Sequence, residues 1–218
     1  MKQEVLFIIL NEYADWESAF LAASLHSGLM PGSEIKYVVK TVAPTLDAVR
    51  SLGGFRTLPD YSFDTMPSDY AGLVLIGGMQ WQSPEAERIF PIVQDAFEKG
   101  KVIGGICNAA SFLCAHGFLN HVKHTGNTLA VLKQWGGERY TNEDGYLEKQ
   151  AVGDKNIVTA NGTGYLEFTR ELLLALKADT QEKIEAFYDF SKKWTCEITT
   201  YSSSIRDNIN YPMILFWL

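Results

Sequence analysis

The sequence is poor in several things, and each shortage excludes something. It has three cysteines in 218 residues. That count is odd and the spacings are irregular, so there is no disulfide framework. A chain of this length buries enough core to do without one. The pattern favours a reducing compartment, where a thiol is either catalytic or simply buried, and the expected location is cytoplasmic. Dense Lys/Arg runs are missing too. With 19 Lys+Arg against 26 Asp+Glu the formal net charge is −7, a surface that repels phosphate backbones, so no nucleic acid is expected as partner. No apolar stretch approaches the length that spans a bilayer, so no membrane is expected either. The opening run MKQEVLFIIL stops at Asn11 and Glu12 without a small-residue cleavage site, and reads as a buried strand rather than a signal peptide. Clusters with metal-ligand spacing are absent, as are a Walker loop and a dinucleotide fingerprint, since Gly77-Gly78 is too short for either. The expectation is therefore no metal and no cofactor.

What is present reads as alternating strands and helices. Val5–Leu10 is a continuous apolar run, as in a strand covered on both faces. Trp16–Leu29 is an amphipathic helix ended by Gly28 and Pro31. Glu34–Val42 reads as the second strand, and residues 43–63, with Gly53-Gly54 and Pro59, as a small hairpin excursion. Leu73–Ile76 is a further buried strand. Ser83-Pro84-Glu85 then starts a helix that runs to about Lys99-Gly100. Val102–Ile106, a helix over Ala109–His116 and a short helix over Leu129–Trp135 follow. Residues 147–152 and 156–160 read as paired strands across Gly153-Asp154, and Tyr165–Leu176 and Gln181–Lys193 as closing helices. The order predicts right-handed crossovers and an α/β fold, a three-layer α/β/α sandwich with a mainly parallel central sheet. In such sheets function lies beyond the carboxyl ends of the strands, here residues 11–17, 77–81 and 107–110.

The segment VIGGICNAASFL carries the chemistry. A buried strand runs into Cys107 and a helix follows at once, with Gly104, Gly105, Ala109 and Ala110 around the turn. A turn this tight strains its central residue and admits only small neighbours, the logic of a nucleophile elbow with cysteine in place of serine. It also sets the sulfur at a helix N-terminus, which favours thiolate over thiol, so a lowered thiol pKa is expected.

Four segments in order, NEYADWESAF, LVLIGGMQW, GGICNAASFL and NIVTANGTGYLEFTRELLLAL, resemble the DJ-1/PfpI superfamily. The resemblance implies a flavodoxin-like or class I glutamine amidotransferase-like fold over residues 1–194, leaving 195–218 as a C-terminal tail of unrelated character. It implies that Glu17 is the protonated carboxyl that donates to the Cys107 sulfur, which requires a raised carboxyl pKa. It also implies that the N–H groups of Gly78 and Asn108 are oxyanion donors. Trp16 and Met79, beside these segments in the sequence, are read as lining the pocket mouth. Hydrolytic members place a histidine directly after the nucleophile. Here that residue is Asn108, which cannot take a proton from a thiol. His124, in HVKHTGN, is the candidate to replace it. The implied function is that of an intracellular cysteine protease or amidase acting on a small-molecule or peptide substrate, with a homodimer as the implied assembly. Two other readings fit the same residues: a glyoxalase-like enzyme on methylglyoxal-type aldehydes, and a redox-sensing or chaperone-like stress protein.

Overall fold

The N-terminal apolar run becomes β1 (Gln3–Ile8), and its side chains alternate between two cores, as the two-residue period of a strand requires. Val5 and Phe7 face one layer of helices, and Leu6 and Ile8 face the other. The computed structural model describes residues 2–29 and 33–193. Within them β1 pairs in parallel with β2 (Tyr37–Ala43) on one side and β6 (Gly72–Leu75) on the other. The sheet extends through β7 (Val102–Ile106) and β9 (Ile157–Ala160), both parallel, to β8 (Ala151–Asp154), which is antiparallel. With β5 (Tyr61–Ser62) beside β2, its seven strands run in the order β5-β2-β1-β6-β7-β9-β8.

Helices cover both faces. On one, α1 (Asp15–Ser27) and α6 (Tyr165–Ala175) bury Leu21, Leu25, Phe168 and Leu172, and α7 (Gln181–Lys193) adds Ile184. On the other, α3 (Phe90–Glu98), α4 (Asn108–Ala115) and α5 (Leu129–Gly136) bury Val93, Phe112, Leu113 and Leu132. Each fully buried Leu or Phe contributes roughly 1.5–3 kcal/mol. The three-layer α/β/α sandwich with a mainly parallel sheet is the architecture expected. The hairpin foreseen within residues 43–63 is β3 (Val49–Arg50) paired with β4 (Arg56–Thr57).

Two expectations need correction. The helix read from Ser83 to Lys99 is two helices, α2 (Pro84–Glu87) and α3. Pro91 has no N–H to offer the Glu87 carbonyl, and its ring clashes with it, so one continuous helix cannot form. The outer strand is displaced from residues 147–152 to Ala151–Asp154, and the chain reverses at Lys155–Asn156, with Gly153 inside the ladder opposite Val158. Residues 147–149 are held elsewhere: Leu147 N donates to His124 O (2.8 Å), and Lys149 O accepts from Thr125 Oγ1 (2.9 Å). Pro31 and the tail 195–218 lie outside the described residues. No described helix is long and apolar enough to cross a membrane.

β7 is the strand that delivers the cysteine, and its two glycines set how closely helices approach it. A Cβ on Gly104 would lie 3.0 Å from Phe168 and Leu172 of α6, and one on Gly105 would lie 2.6 Å from Leu113 of α4. Gly104→Val is expected to destabilise the fold by about 1–3 kcal/mol through overpacking, read as a lowered midpoint in chemical denaturation. An unchanged midpoint would mean that α6 is free to shift.

Candidate active site

Loops at the carboxyl ends of β1, β6, β7 and β9 meet at one point. The β1 and β6 loops are zipped together, Ala14 N to Gly77 O at 2.9 Å and Met79 N to Glu12 O at 3.1 Å. This fixes the start of α1, and with it Glu17, beside the Gly77-Gly78 turn. The end of β7 brings in Cys107, and the loop after β9 brings in Gly162.

Cys107 has φ 59° and ψ −126°, a conformation that costs a non-glycine residue of order 1–3 kcal/mol. Its surroundings over-determine it. Its N–H donates to Ala160 O at 2.9 Å, tying it to β9, and its own carbonyl accepts from Ala110 N at 3.1 Å, the first turn of α4. This strand-to-helix elbow leaves the side chain half-buried. The sulfur is faced by the N–H of Asn108 and by the Asn127 side chain, whose Nδ2 lies 3.4 Å away.

Glu17 is 1% exposed. Its carboxyl faces the Cys107 sulfur and the Gly77 backbone, with no well-formed hydrogen bond at either oxygen. Burial is the dominant effect. It outweighs the lowering influence of Cys107 and Gly77 and pushes the Glu17 pKa from an ordinary 4.5 up to about 8. Glu17 is therefore protonated at neutral pH. The Cys107 thiol is also pushed up, first by burial and then by the charge Glu17 would carry, against the opposing pull of Asn127 and the Asn108 N–H. The lowered cysteine pKa expected from the helix N-terminus does not emerge, because desolvation at this depth exceeds the dipole's help. The two acids act as one titrating pair: while Glu17 holds its proton the repulsion on a Cys107 thiolate is gone, so the first charge is shared between them.

No room is spare here. A Cβ on Gly77 would run into the Glu17 carboxylate and lie 2.6 Å from Cys107 Cβ. One on Gly162 would lie 3.1 Å from Cys107 Sγ and 3.2 Å from Glu17 Oε1.

The structure brings Cys107, Glu17, Gly78 and Asn108 together. Gly78 has φ 155°, and its N–H makes no hydrogen bond among the described residues. Asn108 Nδ2 donates to Gly78 O at 2.9 Å, bracing that turn. Trp16 is 48% exposed and donates from Nε1 to Gly162 O at 3.0 Å, which puts it on the rim; Met79, 63% exposed, follows Gly78 on the other side. His124 does not join them. It is fully buried, with Nδ1 at 2.9 Å from Val122 O and Nε2 at 2.7 Å from Tyr140 Oη, and neither nitrogen hydrogen-bonds the sulfur. Burial among aromatic rings lowers its pKa, so it is a neutral core histidine. Asn127, three residues on, is the side chain that does reach the sulfur. Its only sequence signal is its place just before Thr128, the cap of α5, whose Oγ1 accepts from Val131 N. No cluster of three or more His, Cys, Asp or Glu among the described residues could hold a metal ion.

A family model, described as the DJ-1/PfpI family, matches residues 3–175, which span the elbow, Glu17 and Gly162 alike. The chain belongs to the DJ-1/PfpI family. It is 39% identical over 201 residues to the uncharacterized protease YdeA of Bacillus subtilis (strain 168), covering 88% of this chain and 96% of that one. With the uncharacterized protease YoaZ of the same organism it is 31% identical, covering 87% and 91%. Among solved structures, the thiJ/pfpI family protein from Bacillus anthracis superimposes with a TM-score of 0.82 at 30% identity, covering 90% of this chain and 93% of that one. The DJ-1 superfamily protein Atu0886 from Agrobacterium tumefaciens gives 0.77 at 31%, covering 88% and 99%. These overlaps run nearly end to end in the relatives.

The raised Glu17 pKa has a consequence for stability. In the fold Glu17 holds its proton up to about 8, and in the unfolded chain only to about 4.5. Its contribution is therefore fully present below 4.5 and is lost as the pH rises through 8. Glu17→Gln removes this titration. The difference in melting temperature, variant minus wild type, is expected to grow in the variant's favour between those limits. Parallel curves would mean that Glu17 is already ionised in the folded protein.

Proposed function

We propose that the chain is a cysteine-dependent hydrolase of the protease or amidase kind, with Cys107 as nucleophile and Glu17 as its proton-holding partner. The observation that carries this reading is the Glu17 carboxyl, buried and protonated, lying against a sulfur held at a strained elbow. In the first step Cys107, its thiol proton lost to solvent, adds as the thiolate to a substrate carbonyl carbon, and the C=O electron pair moves onto oxygen. The N–H groups of Gly78 and Asn108 are suited to receive that oxyanion. The tetrahedral adduct then collapses, the leaving group departs with the Glu17 proton, and a thioester remains on Cys107. Glu17, now a carboxylate, takes a proton from water as the water attacks the thioester. This releases the acid product, restores the thiolate and returns the proton to Glu17. The relatives named as proteases support the hydrolytic assignment.

A second reading has one observation in its favour: no imidazole hydrogen-bonds the sulfur among the described residues, since Asn108 follows the nucleophile and His124 is bonded elsewhere. Addition of Cys107 to an aldehyde such as methylglyoxal, giving a hemithioacetal whose protons Glu17 moves, does not need one.

The test is turnover of a panel of peptide, amide and ester substrates beside methylglyoxal, with mass spectrometry of the quenched protein. A thioester-mass adduct on Cys107 and hydrolysis lost roughly a thousandfold or more in Cys107→Ser are expected. Consumption of methylglyoxal alone, with no acyl adduct, would replace the first reading by the second. Retained turnover in Cys107→Ser would sink both.

A further inference from the structure

Around Cys107 the structure closes a chain of amide hydrogen bonds whose direction is fixed at both ends by backbone groups. At one end the Gly162 N–H, which can only donate, points at Asn127 Oδ1 at 3.0 Å. The Asn127 oxygen must therefore face Gly162, and its NH₂ group must face the other way. There Nδ2 lies 3.4 Å from Cys107 Sγ and 3.4 Å from Asn108 Oδ1. At the other end Gly78 O, which can only accept, takes Asn108 Nδ2 at 2.9 Å, so the Asn108 oxygen must face Asn127. The two constraints agree, and no flip of either amide satisfies both ends.

The loop bearing Asn127 is anchored on each side. Thr125 N donates to Thr159 Oγ1 at 2.8 Å and Thr125 Oγ1 to Lys149 O at 2.9 Å, while Thr128 caps α5. Only glycine at 162 leaves space for the arrangement, because a Cβ there would crowd the sulfur.

We propose that Asn127 is a catalytic residue of this site, an obligate hydrogen-bond donor to the Cys107 sulfur that stabilises its thiolate and fixes the direction in which it attacks. The proposal rests on the reading of Cys107 as the nucleophile. An amide does this work at every pH, because it neither titrates nor adds a charge. Charge at the sulfur is thus left to Cys107 and Glu17 alone. The Trp16 indole, bonded to Gly162 O, extends the same chain to the rim, where a substrate would first arrive.

The test measures the rate of Cys107 alkylation by iodoacetamide against pH in the folded protein, with mass spectrometry to identify the modified cysteine. The variants are Asn127→Asp and Asn127→Ala. Asp is the same shape and keeps the acceptor for Gly162 N–H, so it preserves the loop while replacing the donor by a charge, and Ala removes the donor without adding one. In both variants the half-maximal pH is expected to rise by about one unit or more, which lowers the rate near neutrality about tenfold. The Asp variant is expected to shift further, since it adds a like charge. A circular-dichroism melt confirms that each variant is folded at the assay temperature. A purely structural role would lower the melting point and leave the half-maximal pH where it is. A wild-type midpoint in the folded Ala variant, whatever the Asp variant does, would overturn the proposal and leave the nucleophile reading standing. A wild-type protein whose Cys107 reacts only on unfolding would overturn the nucleophile reading, and the proposal with it.

Discussion

A carboxyl and a thiol buried against each other cannot both be charged, and the rest of the site is arranged around that constraint. Water would separate the two charges, but Glu17 is closed off from it, so at least one proton must stay with the pair near neutral pH. Keeping the two groups adjacent without solvent requires that nothing intrude. That is why Gly77 and Gly162 lack side chains where a Cβ would meet the Glu17 carboxyl or the sulfur. It also requires that both groups be held by backbone rather than by mobile side-chain contacts. Glu17 is fixed by the zipped loops after β1 and β6, and Cys107 by its bonds to Ala160 and to the first turn of α4. The strain at Cys107 is tolerated because the sheet and the helix pull on it from both sides.

The parts of this arrangement that were legible in the sequence are those that leave a local or periodic trace. The apolar run Val5–Leu10 is long enough to name a strand covered on both faces, and the small residues around Cys107 signal a turn with no space. Glu17 was reachable only through the resemblance, because an acid in the first turn of a helix is otherwise unremarked. What escaped was set by distance along the chain. Asn127 reaches the sulfur across twenty positions of sequence, and no local pattern encodes which face of a loop will turn inward. His124 misled for a chemical reason: a histidine near the right place looks like a base, yet its partners, Val122 O and Tyr140 Oη, are a backbone carbonyl and a phenol no motif announces. The break between α2 and α3 was in principle visible in Pro91. The favourable cap at Ser83 and Pro84 masked it, since a good start says nothing about where a helix stops.

The thiol pKa shows two local rules in competition. A helix N-terminus lowers it and burial raises it, and the sequence displays the first more plainly than the second. α4 contributes the Asn108 N–H to the sulfur, but a helix dipole offers at most about 2 kcal/mol in a partly buried setting. Removing a thiolate from water costs more than that. If Cys107 is the nucleophile proposed above, what offsets that cost is the neighbour. A protonated Glu17 carries no repelling charge, and Asn127 and Asn108 present donors that remain in place as the charge forms. On that proposal the ionisation of Cys107 is a property of four groups and cannot be assigned to the elbow alone.

On the proposed function, the same constraint bears on which carbonyl compounds the site could process. Among the described residues Glu17 is the titrating group against the sulfur, with its pKa pushed up to about 8, and it has no room to swing: Gly77 closes one side and Gly162 the other. Every proton it moves must therefore travel between atoms within a bond or two of the carbon that the sulfur attacks. An aldehyde adduct meets that condition, since its oxygen and its carbon-bound hydrogen both sit beside the new C–S bond. An ester or amide meets it for the leaving atom, which is bonded to the attacked carbon, and again when water replaces that atom. A reaction needing a proton delivered farther off would require a second acid. The amide chain through Asn108 and Asn127 cannot supply one, because neither amide gives up a proton. A buried, immobile proton store paired with uncharged donors would thus restrict the proposed chemistry to the immediate surroundings of one carbon, for either carbonyl class.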